Sequence, residues 1–592
     1  VAHPLHASAA VARLTASRRR QLHAAIARSE NGVEVKARHL HYSEPPGVLP
    51  DLAAALDRAA ESAGRRGAPI QAAHFAAHAV SRSETGSPEL GRRLLVQAQQ
   101  ISTAGDYAAA AAVLVQIDPL PFDSTRFDLY VALASTAIAL SDSASAARAH
   151  LDAVAERLPA GSRLQSAILD AFAEEDEVPI PELMTMARAA LAVLDPADTP
   201  YSARRAVGVL LRAEVDRGMG LNADLMRDAA AALDRSDGAL HETAYAQEAF
   251  FAKDLDDLDA SRKGLSELVR RALARGEEGV ASMLSVHAAA TEILAEDYDA
   301  ARAHLASAGA PSTRQDLWPM SLAAQGHLMI VNADWSGLQR MLDAQQGVRH
   351  ASAVSRELYL QGLLGLAAHA REEWSLAVKH LRRAATIADD RGLVELGRRF
   401  RVDLPLIEAL FYDGELDEAR TRLAHVRTLL AEVDRPISQI ALHRVNALDH
   451  AAAGDLDRAI SEVSTSIDLA HAAGRKSDEA LALLYRVRLS RRLRRSRVAR
   501  SDLDRARDLA AAVGNRALEP VIERTASTMR RVRSDGALTP AEQRVLDLVR
   551  DGATNREISA RLFVSVRTVE SHVAAIVRKT GAGSRLKLLV RG

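Results

Sequence analysis

Five residues near the C-terminus, Arg567, Glu570, Ser571, Ala574 and Arg578, recur at i, i+3, i+4, i+7 and i+11, the spacing of one stripe along an α-helix. Their types suit recognition of a polyanion and its bases, not bond making. A guanidinium neutralises a phosphate, a carboxylate accepts from the amino group of cytosine, and the methyl of an alanine can touch that of thymine. Val566, Val569, Val573 and Ile576 or Val577 fall at core spacing on the opposite side. The sequence therefore predicts a helix from Val566 to about Thr580 with one buried and one presented face.

The flanking residues would position that stripe. Thr539-Pro540-Ala541-Glu542 is a capping box with proline at the first helical position, opening a helix that Gly552 would close. Thr554-Asn555-Arg556-Glu557 is a second capping box, for a short helix through Ile558 and Leu562. The tight Phe563-Val564-Ser565 turn follows, with Ser565 as cap of the stripe-bearing helix, and Ser584 would start a fourth helix. Two short helices joined by such a turn, the second exposing a polar stripe, are the arrangement that inserts a helix into the major groove of DNA. Charge agrees: residues 538–592 carry ten Lys and Arg against five Asp and Glu, a net of +5 in a chain whose total is −1.

The ordered set Leu538-Thr539-Pro540-Ala541-Glu542, Gly552-Ala553-Thr554-Asn555-Arg556-Glu557-Ile558, Leu562-Phe563-Val564-Ser565, Thr568-Val569-Glu570-Ser571-His572-Val573 and Ser584-Arg585 resembles the LuxR/GerE-type helix-turn-helix throughout its length. The resemblance implies base contacts from Glu570, Ser571 and Ala574, and phosphate contacts from Asn555, Arg556, Ser565, Arg567, Thr568, Arg578 and Lys579. It also implies a dimer helix holding Leu586 and Leu589, a homodimer on double-stranded DNA, and an activator that recruits RNA polymerase. Ser571 and Ala574 are small, so DNA shape would supply part of the specificity. Lys579-Thr580 stands where the family has Lys-Leu, and the chain stops at Gly592, so dimerisation through this domain alone is expected to be weak. His572 matches a family position and reads as a packing residue, with a proton switch as the other reading.

From about Leu90 to Val513 the chain reads as successive amphipathic helices. A marker recurs along it, a bulky or apolar residue just past a turn followed three positions later usually by alanine. It stands at Tyr107/Ala110, Ala144/Ala147, Tyr298/Ala301, Trp335/Leu338, Trp374/Ala377, Leu416/Ala419 and Leu456/Ala459, at a near-constant interval where the series is unbroken. That interval fits two helices and two turns per unit, the small residue admitting a close neighbour. The array resembles tetratricopeptide-type repeats with longer units. Between about Ala160 and Gly276 the marker fails, and helices are expected there without a register. Arg486 to Arg500 holds eight arginines in fifteen residues, a charged helix face or an auxiliary phosphate surface. Arg524 to Arg533 falls in an expected linker.

The N-terminal segment 1–85, with His3-Pro4-Leu5, Ser17-Arg18-Arg19-Arg20-Gln21-Leu22-His23 and Ala37-Arg38-His39-Leu40, resembles the junction between winged helix and repeats in the large ATP-binding LuxR-type regulators, the MalT-like group. In that group an ATPase module precedes this point. No G-x-x-x-x-G-K-[ST] and no Gly-Lys pair occurs in this sequence, so ATP is not expected to bind within it and no cofactor is implied. His74 and His78 have a chelating spacing on a helix but no evident third ligand, and no catalytic constellation stands out, so an enzyme is not expected. The absence of cysteine excludes disulfides, thiol nucleophiles and Cys-ligated metals. With no apolar run of about 18 residues and no signal-peptide pattern, a cytoplasmic protein off the membrane is expected. Bacterial origin follows from the resemblance, helped by a marked preference for Arg over the seven Lys.

The expected architecture is all-α: a helical segment at 1–85, repeats at 86–520, an Arg-rich linker at 521–537 and a four-helix DNA-binding domain at 538–592. The expected function is sequence-specific transcriptional regulation, with the repeats sensing a small molecule or a protein. A repeat scaffold for a protein partner, with weak or vestigial DNA binding, is the alternative that the sequence leaves open.

Overall fold

A computed structural model describes residues 14–171, 178–227, 244–275, 278–308, 319–345, 353–534 and 538–580, together with 582, 584, 585 and 588. Every regular element among them is a helix. Successive helices pack as antiparallel hairpins, and no described helix is long and apolar enough to cross a membrane.

The first member of each marker is the first residue of the second helix of its hairpin: Tyr107, Ala144, Tyr298, Trp335, Trp374, Leu416 and Leu456 all open helices. Three residues on, Ala110, Ala301, Ala377, Ala419 and Ala459 are fully buried, with Leu338 at 3% exposure where a larger residue is accommodated. An aspartate caps several of these helices: the Asp106, Asp297, Asp334 and Asp455 side chains each accept the backbone N–H three residues on, relieving one of the free donors of the first turn.

The register extends beyond the sequence markers in both directions. Helix Leu258–Ala274 opens one repeat interval before Tyr298, and helix Ser496–Val513 opens one interval after Leu456. In the first, the small buried residue is Ser261, whose hydroxyl bonds to the Ala249 carbonyl and the Thr291 hydroxyl, both at 2.9 Å. A serine that is satisfied in this way packs as an alanine does, which is why an alanine-based marker misses it. Upstream, helices Arg163–Ala171, Ile180–Leu191 and Pro200–Asp216 follow no such spacing.

In most of these hairpins the residue two before the second helix sits in the left-handed region. It is glycine at 105, 414 and 454, yet Asp256, Glu296, Ala333, Glu372 and Arg494 occupy the same place with φ between 56° and 68°. Three acidic side chains among them compensate at long range. Asp256 accepts the N–H of Ile437 at 2.9 Å, and Glu296 that of Ser477 at 2.7 Å, each 181 residues further along. Both partners lie in the first turn of a helix, where free N–H groups and the helix dipole favour an anion. Glu372 holds Arg488 and, at 2.9 Å, Arg524. At a similar separation Arg398 meets Asp216 at 2.6 Å, while Arg401 bonds Asp256 across 145 residues at 2.5 Å. The array therefore winds back on itself, and charged side chains of one turn fasten the next.

Helices Ala16–Ser29 through Pro69–Ser81 carry a core of their own around Leu56, Ala60 and Phe75, and helix Pro88–Ala104 continues the packing without a break. His78 stacks on His41 with ring centroids 3.9 Å apart, and His74 is exposed. Residues 521–529, expected as linker, are instead part of helix Leu518–Ser534: Val521, Ile522 and Ala526 are buried in the last repeat core, which apolar i, i+1, i+5 positions among the arginines make possible. The end of that span, 535–537, lies outside the described residues.

Candidate nucleic-acid interface

Among the described residues three helices build the C-terminal domain: Pro540–Arg550, Asn555–Leu562 and Val566–Thr580. Both expected capping boxes form, with Thr539 and Thr554 accepting from the N–H of Glu542 and Glu557, and each glutamate returning to its threonine's N–H. The turn between the second and third helices is made by Phe563 in the left-handed conformation, φ 54°. Ser559 locks it by donating to the Val564 carbonyl at 2.5 Å. Ser565 then caps the third helix, accepting the Thr568 N–H at 3.1 Å.

The core of the domain is Val545, Leu546, Val549, Ile558, Val569, Val573 and Ile576. It holds the third helix by the face predicted for burial, except that Val566, at the helix start, is 37% exposed. The opposite stripe is open to solvent. Arg567, Glu570, Ser571, Ala574 and Arg578 are all exposed, as are Arg556, Ser565 and Thr568 beside them. The stripe of the third helix is thus an open polar ridge with an arginine at either end.

Two residues expected at phosphates are otherwise engaged. Lys579 is largely buried and places its ammonium 2.7 Å from Glu542, clasping the end of the third helix to the start of the first. The Asn555 carbonyl oxygen accepts from Arg585, which also donates to the Ala553 carbonyl. Arg585, present in the motif but given no role by the sequence, thereby braces the entry to the second helix. The Lys579 hydrogen bond, with the Thr539 N–H, holds the Glu542 carboxyl down to about 2. Leu586 and Leu589, the expected dimer residues, and most of the span expected to form a fourth helix lie outside the described residues; Leu588 is buried in the domain core.

Residues 536–591 match the family model of bacterial regulatory proteins, luxR family. The C-terminal domain is a LuxR-family helix-turn-helix. Over 60 residues the chain is 45% identical to putative HTH-type transcriptional regulators of Mycobacterium bovis and Mycobacterium tuberculosis, a match covering 10% of this chain and 7% of theirs. Over 51 residues it is 53% identical to the response regulator Rre1 of Synechocystis, covering 9% of this chain and 22% of that one. The chain thus shares only a small part of the length of these relatives. Among solved structures, a chain from the APC/C hetero-tetramer Cut9–Hcn1 aligns over 85% of this chain at 12% identity and a TM-score of 0.43. The hairpin architecture described above rests on this chain's own packing.

Outside the LuxR-type domain the arginine cluster divides in two. Arg486 is forked on Asp502 at 2.8 Å and Arg488 is held by Glu372 and Tyr412, so both belong to the array's interior. Arg492, Arg494, Arg497 and Arg500 are exposed around the next turn. Among the described residues no three His, Asp or Glu side chains are grouped to hold a metal ion.

Proposed function

We propose that this chain is a sequence-specific DNA-binding transcription regulator, an activator, whose LuxR-type domain docks in the major groove as one half of a homodimer while the repeats receive a signal. The observation that carries this reading is the exposed ridge of Arg567, Glu570, Ser571, Ala574 and Arg578 on a helix fixed by two capping boxes and a short turn. The relatives that share the domain are named as transcriptional regulators, which supports the same reading. Glu570 is the base reader able to accept from cytosine, Ser571 and Ala574 line the groove at close approach, and Arg556, Arg567 and Arg578 meet phosphates with Ser565 and Thr568. Asn555 reaches a phosphate through whatever donor its bond to Arg585 leaves open, and Lys579 acts by fixing the helix. Leu586 and Leu589 complete a weak dimer contact, and RNA polymerase is the partner of the bound form.

Selection of genomic DNA fragments by the full-length protein, beside a truncation ending near Ala537 and the isolated tail from Leu538, tests this. Enrichment of a paired half-site motif by the intact chain alone is expected. Failure of both the intact chain and the isolated tail to enrich any motif would sink the reading in favour of a protein-binding scaffold.

A further inference from the structure

Where the winding array meets the helix Leu518–Ser534, a cavity of about 150 Å³ lies between two of its turns. Trp374, Leu484 and Val521 supply apolar wall, and Tyr485, Asn515 and His369 complete the lining. Trp374 is itself fixed by stacking on Tyr412, with centroids 4.4 Å apart. Tyr485 is 3% exposed, and its hydroxyl has no hydrogen-bond partner; neither has the Asn515 side-chain oxygen, although that amide's nitrogen bonds Ser477 at 3.1 Å. A buried polar atom without a partner is costly, and a ligand group brought within reach would satisfy it.

The groups present define what fits. A cavity of this volume with apolar walls holds a body of about one six-membered ring. A hydroxyl on it would donate to the Asn515 oxygen and accept from Tyr485. Anions are disfavoured: Arg488 is already committed to Glu372 and Tyr412, and burial of Glu408 is outweighed by His369, Arg444 and Arg488, which hold its carboxyl below the usual range, so a negative charge already faces the site.

Position gives the site a consequence. Val521 belongs to the helix that runs on toward the DNA-binding domain, Arg524 of the same helix grips Glu372 beside the cavity, and the Ala517 N–H bonds the Val331 carbonyl across the seam at 3.1 Å. A ligand here would touch both sides of that seam. We propose that this cavity is an effector site for an uncharged single-ring molecule bearing one hydroxyl, a phenol by chemical class, whose binding tightens the hold of the array on the helix Leu518–Ser534. The proposal rests on the regulator reading for its output but not for its ligand.

Phenol, toluene and benzoate are titrated into the full-length protein by calorimetry, with the thermal transition followed in parallel. Phenol is expected to bind and raise the transition, toluene to bind more weakly, and benzoate not to bind. Tyr485→Phe should weaken phenol about five- to tenfold, the worth of one hydrogen bond, and leave toluene unchanged, whereas a purely structural tyrosine would move both alike. Linkage then requires that phenol change the affinity for the selected DNA by the same factor as DNA changes that for phenol. No saturable phenol binding at millimolar concentration by a protein that melts cooperatively overturns the site, and equal affinity for phenol and toluene overturns the hydroxyl assignment. Binding with no reciprocal factor on DNA overturns the effector role. Phenol binding by a protein of which neither the intact chain nor the isolated tail selects DNA would leave the site standing and sink the regulator reading instead.

Discussion

On the third helix of the C-terminal domain the side chains divide into those that would read, those that would anchor and those that hold the frame, and each class predicts a different measurement. Replacing Glu570 by alanine should change which base pair is preferred in a selection experiment at little cost in affinity; an unchanged motif would remove it as the base reader. Arg567→Ala and Arg578→Ala should weaken binding to all sequences, each flattening the slope of log affinity against log salt by about 0.9 per protomer bound. Lys579→Ala should act otherwise, loosening the domain itself, because its ammonium sits on Glu542. The Glu542 carboxyl is depressed from its ordinary range to about 2, so the stabilisation it contributes is present at neutral pH and lost as pH falls from about 4.5 toward 2. Amide exchange of peptides from Pro540–Arg550 in the wild type and in Glu542→Gln should converge over that window; a gap that persists near pH 2 would contradict the assignment. The ridge was legible from spacing alone. The engagement of Lys579 and Asn555 was not, since it depends on partners 37 and 30 residues away.

The hairpin turn is the element whose chemistry the sequence half reveals. Its second helix announces itself by a bulky first residue and an alanine three further on, often behind an aspartate cap, so seven units could be placed without coordinates. The units at Leu258 and Ser496 escaped because serine stands in the small position of one and at the head of the other. The left-handed residue before the cap shows a subtler compromise. A side chain there costs about 1 to 2 kcal/mol relative to glycine. Arg494→Gly, at an exposed turn, should therefore raise stability by about 1 kcal/mol. The same change at Glu296 should lower it, because a charge-assisted bond worth about 1.5 to 3 kcal/mol is lost with the side chain. Thermal midpoints of the two variants moving in the same direction would show that the carboxylate at 296 is not the fastening. Likewise Ala419→Leu should destabilise by roughly 1 to 3 kcal/mol, as it forces three more carbons into a position that is fully buried.

At the scale of the molecule, periodicity announces a repeat array, but it cannot announce that the array meets itself. Nearest-neighbour packing follows from amphipathic helices; contacts between turns need carboxylates at 256, 296 and 372 to find partners that no local pattern links to them. Repeat proteins in which each unit touches only its neighbours lose stability gradually as units are removed. Here, deletion of the residues from Lys476 onward should also loosen the turn at Glu296, read as faster amide exchange in Tyr298–Ser307; unchanged exchange there would mean that the fastening is inconsequential. The same separation has a bearing on synthesis. At about 5 to 20 residues per second, a ribosome that has just made Glu296 needs roughly ten to forty seconds to deliver the 181 residues up to Ser477. For that interval the middle of the nascent chain has its neighbours but not its clasp, and its carboxylates wait in water, so early units stay correctable until the last are made.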